Sequence, residues 1–66
     1  MNEAQLTATN EAIERLGGLT ATAKRYQISV QAVQNWRSRG VPTDRVKELE
    51  TDTGVPREQL RPDLYA

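Results

Sequence analysis

The sequence contains no cysteine and no histidine, and these two absences remove most enzyme chemistry at once. Without thiols there is no disulfide, no thiolate zinc site and no cysteine nucleophile. Without imidazole there is no Ser-His or Cys-His pair to activate a nucleophile. A glycine-rich phosphate loop is missing as well, and a chain of 66 residues can hardly enclose a pocket around paired carboxylates. No apolar run approaches the roughly 18 residues of a membrane span, and the amino terminus lacks the basic-then-apolar order of a signal peptide. The expectation is a soluble, cytoplasmic, single-domain protein without metal or cofactor that is not an enzyme. A domain this small buries only about 60% of the surface of its unfolded chain.

Net charge is also lacking, with nine basic residues against nine acidic ones. Taken as a total, that argues against a nucleic-acid partner. The distribution argues for one. From Arg15 to Thr43 there is no acidic residue, while Arg15, Lys24, Arg25, Arg37 and Arg39 are all basic. The acids are Glu3, Glu11 and Glu14 before that stretch and Asp44, Glu48, Glu50, Asp52, Glu58 and Asp63 after it. One positive surface and an acidic far side are expected.

Within the acid-free stretch, Thr20–Arg39 reads TATAKRYQISVQAVQNWRSR, the pattern of a helix-turn-helix. Two short helices, Thr20–Tyr26 and Val30–Arg39, flank a tight connection at Gln27-Ile28-Ser29. Small Ala23 lets the helices cross closely, and Ile28, Val33 and the single tryptophan, Trp36, plug the crossing. Thr20 and Ser29 are placed to cap the two helices. Gln27 stands where many such units have glycine, so either it takes a left-handed backbone or the turn has another shape. On the second helix Gln31, Gln34 and Asn35 share a face. Their amides can make paired hydrogen bonds to an adenine edge, and guanidinium groups beyond them can hold phosphate. The candidate base-reading residues are Val30, Gln31, Gln34, Asn35 and Ser38. The candidate phosphate contacts are Thr20, Lys24, Arg25, Ser29, Arg37 and Arg39.

Around this unit, a first helix carries Leu6, Ile13 and Leu16 on one stripe and stops at Gly17-Gly18. Asn2 with Gln5 forms a possible capping box, but Thr7 and Thr9 compete as caps, and the favoured start is near Thr7–Asn10. The residues before it are then a loose extension or an arm along DNA. Gly40 ends the second helix of the motif and Val41-Pro42 redirects the chain. A fourth helix follows over Thr43–Thr53, with Val46 and Leu49 inward, and a last turn of helix falls at Pro56–Leu60 before Pro62.

The order GGLTATAKRYQISVQAVQNWRSRGVPTDRVKELETDTG followed by LRPDLY resembles the Cro repressors of lambdoid phages and their relatives, the Cro-like and YdaS-type antitoxin-like regulators of prophages. The likeness covers most of the chain and rests on W-x-x-R-G-V-P with E-x-x-T-G and LRPD. It implies a small homodimeric transcriptional repressor on a palindromic double-stranded operator. Ser29, Val30, Gln31, Gln34, Asn35 and Ser38 match the groove-facing positions of that family, and Ala23, Ile28 and Val33 its core. The family's carboxy-terminal part is helical or a β-hairpin. Asp44–Gly54 is dense in helix formers and lacks strand alternation, so an all-α bundle of about five short helices is expected. Pairing is assigned to Val55, Leu60, Leu64 and Tyr65, the apolar residues of the tail; the alternative is that they close the core of the monomer and that the homodimer is weak and forms only on DNA. The competing function is an antitoxin-like regulator acting through protein partners.

Overall fold

The computed structural model describes residues 2–65, and the reading of Met1 as part of an arm lies outside them. Five helices follow in order: α1 (Glu3–Arg15), α2 (Leu19–Tyr26), α3 (Val30–Arg39), α4 (Thr43–Thr53) and α5 (Arg57–Leu60). The described residues form no strand, so the all-α expectation stands and a carboxy-terminal hairpin does not form.

The chain is helical almost from its start. Asn2 Oδ1 accepts the backbone N–H of Gln5 at 2.7 Å, satisfying one of the unpaired donors of the first turn. This corrects the expected start near Thr7–Asn10. Thr7 and Asn10 lie inside α1, and Glu3–Ala8 are helix and not an arm. The buried face consists of Gln5, Ala8, Thr9, Ala12 and Ile13, with Leu6 only half-buried. Thr9 is tolerated in the interior because its hydroxyl donates to the carbonyl of Gln5 at 2.9 Å, which removes the cost of an unpaired buried group.

Gly18, with φ at 108°, makes a turn that a β-carbon would strain, and α2 begins one residue later. Thr20 is therefore an exposed first-turn residue and not the cap that was expected. Thr22 is the anchoring hydroxyl instead, fully buried and donating to the carbonyl of Gly18 at 2.8 Å. At the far end Gln27 takes the left-handed backbone, φ 56° and ψ 46°. Gln27 N donates to Lys24 O and Ile28 N to Ala23 O, the two bonds of a Schellman closure. The turn keeps the shape usual with glycine, although the residue is glutamine.

Ser29 caps α3 as expected, its Oγ accepting from Ala32 N at 3.0 Å. Gly40 ends α3 at φ 96°, and a β-carbon there would sit 3.0 Å from Gln5 Nε2 and 3.3 Å from Arg61 Cδ. Glycine thus lets α1 and the tail close over the end of α3. The amino end of α5 is closed by Glu50, whose Oε2 accepts from Arg57 N at 2.8 Å.

The core gathers Ala12, Ile13, Ala23, Tyr26, Val33, Trp36, Val41, Val46, Leu49, Val55 and Leu60. Val55 and Leu60 are 2% and 0% exposed, which corrects their assignment to a pairing surface. Helix α5 folds back on α1 and α4, and burying such a side chain stabilises by about 1.5–3 kcal/mol. A chain with so little interior uses these residues to close its own core.

Candidate nucleic-acid interface

The separation of faces on α3 follows from about 3.6 residues per turn. Val33 and Trp36, three apart, point inward and are 0% and 3% exposed. The opposite side is solvent-exposed at Val30, Gln31, Gln34, Asn35 and Ser38, one continuous stripe. Arg37 falls at one border of that stripe and Arg39 at the other, since each lies roughly a quarter turn from the buried line. Uncharged amides in the middle with a guanidinium on each flank match a major groove, where base edges lie between two rows of phosphates.

Two hydrogen bonds shape the stripe. Gln31 Nε2 donates to Asn35 Oδ1 at 3.3 Å, and Ser38 Oγ donates to the carbonyl of Asn35 at 3.3 Å. Gln34 is exposed between them. Val30 is 38% exposed, next to Ser29, whose cap uses its oxygen as acceptor and leaves the O–H to donate.

The cations divide into two groups. Arg15 pairs with Glu11, Arg25 with Asp52, Arg45 with Glu48, Arg57 with Glu50 and Glu58, and Arg61 with Asp63. Among the described residues Lys24, Arg37, Arg39 and Lys47 have no acidic partner, and the first three belong to the helix-turn-helix. Cations left without internal partners are available to displace counterions from a polyanion.

Arg25 belongs to the other group. Its Nη2 lies 2.9 Å from Asp52 Oδ1 and its Nε donates to Oδ2 at 3.1 Å, so it is held by an acid from α4. Tyr26 OH donates to the same Oδ2 at 2.7 Å. These bonds, that from Arg25 first, hold the Asp52 carboxyl below the usual aspartate range. Burial, reinforced by the bond to Asp52, pushes the Tyr26 hydroxyl up to about 12. The Tyr26 ring stands 5.9 Å from that of Trp36 and 5.5 Å beneath the Arg45 guanidinium, joining α2, α3 and α4 behind the exposed stripe.

Other placements depart from the linear pattern. Arg37 lines a shallow cleft with Thr7, Asn10, Glu11, Ile13, Glu14, Gly18 and Leu19, so acids absent from the sequence near it return in space. Arg61 ties the tail to the turn after α3, Nη1 donating to the carbonyl of Val41 at 2.8 Å and Nε and Nη2 donating to Asp63. The Arg25–Asp52 pair and the bond from Arg61 to the Val41 carbonyl had no signal in local spacing. Of the four tail residues, Leu64 is 46% exposed. Tyr65 is half-buried, its ring 5.3 Å beneath the Arg57 guanidinium. Among the described residues no cluster of three or more acids is placed to hold a metal ion, and no helix is long and apolar enough to cross a membrane.

A family model described as bacterial toxin YdaS matches residues 9–66, from the middle of α1 through the tail. No curated protein and no solved structure matches the chain.

Proposed function

The chain belongs to the bacterial toxin YdaS family, and from that premise we propose that it is a sequence-specific regulator of double-stranded DNA, a Cro-like transcriptional repressor. The observation that carries this reading is the outer stripe of α3: Gln31, Gln34 and Asn35 exposed, with Arg37 and Arg39 unpaired on its two borders. Val30 supplies an apolar contact for a thymine methyl, and Ser38 a further donor or acceptor. Lys24, Arg37, Arg39, Thr20 and Ser29 hold phosphates and set the register of α3 in the groove. Arg25 contributes only by sharing its guanidinium with Asp52.

One reading helix covers few base pairs, so the protein acts as a two-fold homodimer on a palindrome with half-sites about 34 Å apart. With Val55 and Leu60 inside the domain, Leu64 and Tyr65 remain as the apolar surface for pairing. The family's description as a toxin favours a second reading, in which the chain acts on a protein partner.

Fluorescence anisotropy with duplexes from the DNA upstream of its own reading frame separates the two. The DNA reading expects affinity that falls linearly on a log–log plot against salt. Arg37→Ala and Arg39→Ala should each lower that slope by about one unit on all sequences alike. Salt-independent association, or none, leaves the protein-partner reading.

A further inference from the structure

Gln31 and Asn35 stand one turn apart on α3 and are already joined, Gln31 Nε2 donating to Asn35 Oδ1 at 3.3 Å. Each side chain brings one carbonyl oxygen and one amide nitrogen. The bond between them engages the nitrogen of one and the oxygen of the other. The groups left over are Gln31 Oε1, an acceptor, Asn35 Nδ2, a donor, and the second N–H of Gln31 Nε2.

We propose that Gln31 and Asn35 act as one reading unit for a single A·T base pair, Gln31 Oε1 accepting from the adenine N6 amino group and Asn35 Nδ2 donating to N7. This rests on the DNA-binding reading above and deepens it by naming the base. In the major groove adenine presents an amino donor beside the N7 acceptor, whereas guanine presents two acceptors. A unit that presents the Gln31 Oε1 acceptor beside the Asn35 Nδ2 donor therefore matches adenine, whereas guanine would set one of its acceptors against Oε1. Turning both amides over exchanges the two roles and keeps the match to adenine. Asn35 then donates to Gln31, and Asn35 Oδ1 becomes the acceptor and Gln31 Nε2 the donor that face the base.

The link also distinguishes these residues from Gln34, which has no side-chain bond on the same stripe and reads a different position. A bonded pair has lost part of its rotamer freedom before DNA arrives, so less ordering remains to oppose the contact.

Selection from a randomised duplex library, followed by anisotropy on the selected site, tests the unit with Gln31→Ala, Asn35→Ala, the double variant and Gln34→Ala. All three side chains are exposed, and melting curves confirm folding. Gln31→Ala and Asn35→Ala are each expected to relax the preference for adenine at the same position and to lose about tenfold in affinity. The double variant should lose no more than about the same tenfold, because the unit fails once either member is gone. Gln34→Ala should relax a different position. The proposal is overturned if Gln31→Ala and Asn35→Ala relax two separate base pairs, or if their losses multiply in the double variant. A wild-type protein that selects no duplex overturns the DNA-binding reading beneath it, a result distinct from the other two.

Discussion

Asp52 holds Arg25 at two points, 2.9 Å from Oδ1 to Nη2 and 3.1 Å from Oδ2 to Nε, although 27 positions separate them in sequence. The pair ties the end of α2 to the end of α4 and places an acid beside the proposed phosphate-binding face. Asp52→Asn keeps the shape and removes the charge. Arg25 is then released toward phosphate, so affinity for DNA should rise and the salt slope should steepen by about one unit. The melting temperature should fall, since Tyr26 and Arg25 both lose a charged partner. Weaker binding by a folded Asp52→Asn would show that Asp52 positions Arg25 for DNA and does not compete for it.

The same bonds set the acid sensitivity of the fold. Asp52 lies below its ordinary 3.8 because of Arg25 first and Tyr26 second, and Asp63 is lowered chiefly by Arg61. A carboxylate with a depressed folded value contributes its full stability above the ordinary value and loses it as pH falls through the folded one. Melting temperature should therefore drop on acidification below about pH 4, and Asp52→Asn with Asp63→Asn should flatten the drop. A decline of equal steepness in the double variant would assign it to other groups.

Tyr26 gives the opposite limb. Its hydroxyl is pushed from 10.0 to about 12, by burial first and the bond to Asp52 second. Stability from the protonated phenol is complete below the ordinary value and is lost as pH rises through the folded one. A spectrophotometric titration should show a tyrosine ionising near 12, moved downward but still above the ordinary value in Asp52→Asn. A Tyr26 that ionises at the ordinary value in the folded protein would contradict the packing described.

Much of this was legible in local pattern. Ser29 announced the start of α3 because capping is decided within three residues. Val33 and Trp36 announced its buried side through their spacing. The start of α1 was not legible, because Asn2, Thr7, Thr9 and Asn10 are all chemically able to cap, and only packing of Gln5, Ala8 and Thr9 against the body of the protein decides between them. Val55 and Leu60 read equally as surface or interior, since nothing local records that the tail returns to α1. The Arg25–Asp52 pair depends on how α2 and α4 meet, which no spacing encodes. The outer stripe of α3 was fully legible, because a face left polar by sequence stays outside.

Gln27 offers a clean test of the turn. A residue with a β-carbon in the left-handed region costs about 1–2 kcal/mol, so Gln27→Gly should raise stability by up to about 1 kcal/mol, and Gln27→Val should lower it by more than that. Chemical denaturation measures both. Equal stability in the two variants would mean that the backbone at Gln27 is not left-handed.

The tail residues separate by burial. Leu60→Ala empties an interior site and should cost about 2–5 kcal/mol, while Leu64→Ala on the surface should change folding stability by less than about 0.5 kcal/mol. If Leu64 and Tyr65 pair two copies, Leu64→Ala should shift sedimentation toward the monomer while the fold persists. An unchanged dimer would move the interface elsewhere.

The central claim is that the outer stripe of α3 meets DNA, and titration of isotope-labelled protein with a selected duplex, followed by nuclear magnetic resonance, tests it residue by residue. The side-chain amide signals of Gln31, Gln34 and Asn35 should move most, with backbone shifts at Ser29, Val30 and Ser38. Signals from α5, Leu64 and Tyr65 should respond only as far as pairing requires. Largest shifts on α4 and α5, with the three α3 amides unmoved, would contradict the account.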